Sequence, residues 1–134
     1  MMADKPDQTP APQPSDVSKE FWAATAAGKF LLQQDERTKS MFPPRPRRGE
    51  GGKPPSWREA SGTGVLVAVT LCRVPARSFQ NKAPYLVGIV KLDEGPRVFA
   101  TLVNAQDVRP GQKMRMVWLD GGGEARLYAF EPAP

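Results

Sequence analysis

The chain contains no histidine and a single cysteine, Cys72. Without an imidazole there is no serine–histidine or cysteine–histidine dyad, no histidine base near neutral pH and no histidine-ligated metal. One thiol forms no internal disulfide and builds no zinc knuckle by itself. Long hydrophobic runs are also missing. The longest apolar stretch, Val65 to Val69 and past Thr70 to Leu71 and Cys72, is far short of the ~18 residues a membrane span needs. The opening Met1-Met2-Ala3-Asp4-Lys5-Pro6 leads into polar, proline-rich sequence. No signal peptide is therefore expected, and a cytoplasmic protein without membrane attachment is the default.

Proline and glycine, in contrast, are plentiful: 15 and 12 of 134 residues. The length fits one domain, and these residues assign much of it to turns and linkers. With 40% hydrophobic residues, a modest core and an unstructured tail are expected. The net charge of +5 is uneven. Residues 29–58 hold eight cations and three anions, whereas residues 1–20 hold two and four.

Residues 1–14, with prolines at 6, 10, 12 and 14, read as a disordered tail, too apolar-poor to offset the entropy of ordering. Residues 15–28 read as a helix capped by Ser15, started at Asp16 and ended by Gly28 in a left-handed cap. Val17, Phe21 and Ala24 share its buried face, with Trp22 beside them. Residues 29–56 form a connector: Lys29 to Gln33 favours a short strand, and the prolines and glycines from Asp35 to Pro55 exclude regular helix or central strand. Residues 57–134 carry β-rich segments separated by turn signals. Trp57 to Leu71 reads as one long bent strand with a corner at Gly62 and Gly64, and Tyr85 to Leu92 pairs with Arg97 to Val103 as a hairpin. Lys113 to Leu119 alternates, with Met114, Met116 and Trp118 on one face, and Gly121-Gly122-Gly123 turns it into a last strand, Glu124 to Phe130. Five strands with internal glycines predict a mainly β fold, a small closed barrel of the OB type.

Few segments carry chemistry. Gly49-Glu50-Gly51-Gly52-Lys53 fails as a phosphate loop, because Arg47 stands at the first glycine position and Pro54 replaces the hydroxyl residue. Pro43-Pro44-Arg45-Pro46 matches a PxxP ligand, but a rigid spacer explains it as well. Asp93-Glu94 sits before Gly95-Pro96, and turn chemistry explains it, the two carboxylates pointing to opposite sides. Cys72 reads as a small buried hydrophobe rather than a reactive thiol. The cluster that asks for a ligand is Arg45, Arg47, Arg48, Lys53 and Arg58, interspersed with Phe42 and Trp57. Cations beside aromatics suit single-stranded nucleic acid or a nucleotide-bearing cofactor. A solvated basic loop is the competing explanation.

Several segments together resemble the DUF35 proteins, a zinc ribbon plus an OB-fold. They are Phe21-Trp22 before Gly28, Leu31-Leu32-Gln33, Phe42-Pro43-Pro44-Arg45-Pro46, Trp57 with Ser61-Gly62-Thr63-Gly64, Ala83-Pro84-Tyr85, Leu92-Asp93-Glu94-Gly95 and a turn containing Gly111. The family typically places one CxxC pair before the Phe-Pro-Pro-Arg-Pro run and another after it, to hold structural zinc. Here those stretches read Gln34-Asp35-Glu36-Arg37-Thr38-Lys39-Ser40 and Arg47-Arg48-Gly49-Glu50-Gly51-Gly52. No zinc is therefore expected, and residues 34–55 are expected to be held by a partner. The resemblance implies a non-catalytic accessory subunit of a thiolase-like enzyme in a hetero-oligomer, whose partner carries the nucleophile and acts on an acyl-CoA. No tightly bound cofactor is expected. Arg45, Arg47 and Arg48 are the candidates for CoA phosphate contact, and Phe42 and Trp57 for packing or stacking. The alternative is an OB-fold that binds single-stranded nucleic acid through Tyr85, Phe99 and Tyr128. The resemblance makes nucleic acid the less favoured partner.

Overall fold

A computed structural model describes residues 12–46, 54–74, 84–119 and 125–134. Its order is helix α1 (Lys19–Ala26), then strands β1 (Leu31–Gln34), β2 (Met41–Phe42), β3 (Ser56–Glu59), β4 (Thr63–Cys72), β5 (Tyr85–Leu92), β6 (Arg97–Leu102), β7 (Lys113–Leu119) and β8 (Leu127–Pro132). The expected tail lies largely outside the described residues, as do Gly121-Gly122-Gly123 and Glu124.

The helix starts later than Asp16. The Ser15 and Ser18 hydroxyls lie 3.0 Å apart, and the Ser15 hydroxyl accepts the Ser18 amide at 3.2 Å. Ser18, not Ser15, occupies the cap position, and its side chain makes no capping bond. The other end behaves as expected: Gly28 has φ +77, the Gly28 amide donates to the Thr25 carbonyl, and the Lys29 amide donates to the Ala24 carbonyl at 2.9 Å. This pair of bonds is a Schellman closure, which needs a residue tolerant of positive φ. Phe21 and Thr25 form the buried face, while Val17 and Ala24 are only half-buried. The Thr25 hydroxyl donates to the Trp22 carbonyl at 2.6 Å and accepts the Arg126 amide at 2.9 Å, tying the helix to the approach to β8.

Strands β2, β1 and β3 form one antiparallel sheet with β1 in the middle. Met41 and Phe42 pair with Gln34 and Gln33 as an edge strand, which a connector that excludes only helix and central strand allows. One expectation changes here. Trp57 to Leu71 is two strands: β3 pairs with β1, and β4 belongs to the barrel. The chain breaks between them because Ala60 still bonds to Phe30, while Gly62 adopts φ +79 and turns the backbone away.

The remaining strands close into a barrel in the order β4-β5-β6-β8-β7, with β7 returning to β4. Only β6 and β8 run parallel. This is the five-stranded OB arrangement. A bulge between Leu66 and Ala68 coils β4, and Gly64 and Gly88 let neighbouring strands approach where a Cβ would strike backbone. Leu66, Val90, Leu92, Met114 and Phe130 fill the interior, and Phe21, Phe30 and Leu32 extend the same core under the helix. In β7, Met114 is buried and Met116 and Trp118 half-buried, opposite exposed Lys113 and Arg115. The hairpin turn after β5 is pinned differently from expectation. Both carboxylates reach the same segment: Asp93 accepts the Thr63 hydroxyl, and Glu94 accepts the Ser61 amide at 2.7 Å.

Candidate functional site

Where the helix, the three-stranded sheet and the barrel meet, an apolar pocket of about 230 Å³ opens. Phe21 and Trp22 reach it from α1, Phe30 and Leu32 from the β1 segment, Pro43 and Pro44 from beyond β2, and Tyr128 from β8. Its aromatic wall is mutually braced. Phe21 meets Trp22 and Phe30 edge-on at centroid distances of 4.9 and 5.8 Å, and Phe30 meets Tyr128 at 4.9 Å. Such pairs fix the rings against one another. Tyr128 is the one ionisable group in this wall, and burial pushes its phenol up, away from ionisation near neutral pH. Ser18 is the other hydroxyl lining it. Among the described residues the pocket therefore offers apolar contact and two hydroxyls, with no carboxylate, amine or thiol.

Of the sequence-predicted residues that are described, Arg45 borders this pocket and the others lie in the small sheet. Phe42 is buried, and the Arg45 guanidinium lies 4.3 Å from its ring centroid. The Arg45 amide also donates to the Gln33 side-chain carbonyl at 3.1 Å. Phe42 is thus a packing residue whose ring carries Arg45, not a free stacking platform. Arg45 is exposed and directly follows Pro44 of the pocket wall. Trp57 is half-buried in β3, opposite Gln33, whose other neighbour is Phe42. Arg58 donates to the Gln34 side chain at 2.9 Å. Arg47, Arg48 and the Gly49–Lys53 run lie outside the described residues.

The turn where the family carries its first cysteine pair is closed by a carboxylate. Asp35, 2% exposed, accepts the Arg37 and Thr38 amides at 2.9 and 3.1 Å, and its own backbone pairs with Lys39 and Ser40. Glu36 lies 3.6 Å from Lys39. The Ser56 hydroxyl, and after it the Lys39 ammonium, hold Glu36 below the usual carboxylate range. Among the described residues no three histidine, cysteine, aspartate or glutamate side chains gather as a metal set. Both acids of this turn are committed to protein donors, so the turn does not fit a tetrahedral zinc. The expectation that a partner holds residues 34–55 changes for 34–42, which are held by bonds within the chain.

Sequence reasoning missed the pocket, because its walls come from five separate parts of the chain, Val98 of β6 among them. It also left open which of three aromatics faces solvent. Tyr128 is half-buried against the core, whereas Phe99 is 66% exposed on the outside of β6. Tyr85 is half-buried opposite Cys72, whose hydrogen bond is the main influence raising the Tyr85 phenol. Cys72 itself is half-buried rather than buried. Among the described residues, no helix is long and apolar enough to cross a membrane.

In sequence, residues 57–119 match the family described as "ChsH2, C-terminal OB-fold domain". A DUF35 domain-containing scaffold protein of Pyrococcus furiosus is 36% identical over 59 residues, 42% of this chain and 43% of that protein. One of Methanocaldococcus jannaschii is 28% identical over 80 residues, covering 55% of this chain and 57% of the other. The chain thus spans about half the length of the curated relatives it matches. In structure, it superimposes on a chain of the "Ltp2-ChsH2(DUF35) aldolase" with TM-score 0.79 at 25% identity, over 91% of this chain and 98% of that one. The DUF35 resemblance therefore holds in both sequence and fold, and the relatives' names describe scaffold proteins and a component of an aldolase assembly.

Proposed function

We propose that this chain is a non-catalytic accessory subunit of a hetero-oligomeric enzyme, its partner a thiolase-superfamily protein that acts on an acyl-CoA. The observation that carries this reading is the near full-length likeness to the DUF35 chain of an aldolase assembly. The chemistry of the described residues agrees with it: the pocket offers aromatic and aliphatic walls but no catalytic group. Such a surface suits an acyl or pantetheine segment, and Arg45 at its edge suits a phosphate. Arg47 and Arg48 extend that cationic arm in sequence. We further propose that the subunit works in the cytoplasm, without zinc and without a tightly bound cofactor.

The test is purification of the tagged chain from its native host, followed by acyl-CoA turnover by the isolated partner and by the complex. A thiolase-like subunit whose Michaelis constant for acyl-CoA rises when Arg45, Arg47 and Arg48 are changed to alanine is the expected result. Turnover by this chain alone would overturn the reading. One zinc per chain by elemental analysis would overturn its metal-free part. A second reading, single-stranded nucleic acid binding, is favoured by exposed Phe99 on the OB barrel. It requires tight binding of labelled DNA that weakens steeply with salt.

A further inference from the structure

Strands β5 and β6 present two consecutive outward-facing cross-strand pairs. Ile89 opposes Phe99, and Lys91 opposes Arg97. Phe99 keeps 66% of its surface exposed and Ile89 36%, although the alternate residues Val90, Val98 and Ala100 are buried. The contact with Ile89 uses only part of the ring, and most of its apolar surface stays in water. Apolar depressions flank it on both sides. One, of about 130 Å³, is lined by Ala68, Val87 and Ile89; the other, of about 230 Å³, by Trp22, Leu127 and Tyr128; Phe99 is common to both.

The second pair is unfavourable in itself. Two cations directly opposite one another repel, and neither Lys91 nor Arg97 forms an ion pair with a described residue. The nearby acids are spent, since Asp93 and Glu94 hold Thr63 and Ser61. Among the described residues, the face thus combines an uncovered apolar centre with an unpaired positive rim.

We infer that this face is where a partner protein docks, one that seats an apolar protrusion beside Phe99 and brings carboxylates to Lys91 and Arg97. The inference rests on the accessory-subunit reading and assigns it a surface. A second copy of this chain fits poorly, because it would return cations to cations. Single-stranded nucleic acid fits less well than protein, because it asks for successive stacking aromatics, and among the described residues Phe99 is the one exposed large aromatic. A central exposed aromatic within a rim of charge is the usual anatomy of a binding hot spot.

The experiment compares the full chain with Phe99→Asp, with Lys91→Glu/Arg97→Glu, and with Val74→Asp as a distant exposed apolar control, all purified from the native host. Thermal melts by circular dichroism establish folding, and the charge-reversal variant carries the test if Phe99→Asp melts early. The expected result is a thiolase-superfamily subunit bound by the parent and by Val74→Asp. Phe99→Asp should weaken that binding about 30-fold or more and the charge reversal about tenfold, the latter with salt dependence. The same subunit held equally by both face variants overturns the docking face and leaves the accessory reading standing. A protein of another class lost with both variants supports the face and overturns the reading. Self-association through Phe99, or binding of labelled single-stranded DNA that Phe99→Asp abolishes, overturns the inference.

Discussion

Replacing Asp35 by alanine isolates the term that holds the turn between β1 and β2. The carboxylate accepts two backbone amides at 2.9 and 3.1 Å and is 2% exposed. Hydrogen bonds to a charged acceptor contribute about 1.5–3 kcal/mol each. Residues 36–40 are exposed, however, so water recovers part of what the two amides lose. A net loss of about 2 kcal/mol follows from these terms, or about 6–10 °C in melting temperature for a domain of this size. Asp35→Asn keeps one neutral acceptor oxygen and should lose about half as much. Trp57 sits in β3, paired with Gln33 two residues before Asp35, so its fluorescence reports the neighbouring sheet during denaturant unfolding. Amide exchange at Arg37 and Thr38 should quicken in the alanine variant. A melting point within about 1 °C of the parent would refute the carboxylate as the turn's fastening.

Gly88→Ala should destabilise by about 1–3 kcal/mol in chemical denaturation, because the new Cβ would lie 2.7 Å from the Ala68 carbonyl oxygen. Gly28→Ala should cost about 1 kcal/mol, since φ is +77 although nothing crowds the site. The Tyr128 phenol, raised by burial, contributes stability that is complete below its unfolded value near pH 10 and lost as pH rises through the higher folded value. Melts between about pH 9 and 11.5 should therefore fall for the parent and flatten for Tyr128→Phe. Glu131 is held low by the Asn104 amide and then by Arg115, so its contribution is present above the usual carboxylate value and lost as pH falls through the folded one. Asn104→Ala should bring the onset of acid unfolding to higher pH.

The legible parts of this protein were those set by neighbours in sequence. Gly28 ends a helix wherever that helix sits, and Asp93-Glu94-Gly95-Pro96 turns a hairpin between two alternating runs. What was not legible depends on partners far along the chain. Trp57 onward reads as a strand from composition, yet only the pairing of Ser56–Glu59 with Leu31–Gln34 assigns its start to the small sheet rather than the barrel. Met41 and Phe42 are too short and too close to prolines to read as a strand, and form one only against β1. The basic cluster was legible as charge, but Phe42's place under Arg45 was not, because burial of that ring depends on the whole sheet. Alternation in β6 places Phe99 opposite in phase to Val98 and Ala100, but periodicity alone does not say which phase faces water.

Asp35 also bears on what this protein tolerates in a living cell. A hairpin fastened by thiolates around a metal can be undone by peroxide, by a chelator or by shortage of the metal itself. The turn at 35–40 is fastened by one carboxylate and its own peptide groups, and none of these is an oxidisable or extractable part. On the zinc-free reading proposed above, its upkeep draws on no nutrient and no reducing power, so this segment's shape is decoupled from the metal and redox state of its surroundings.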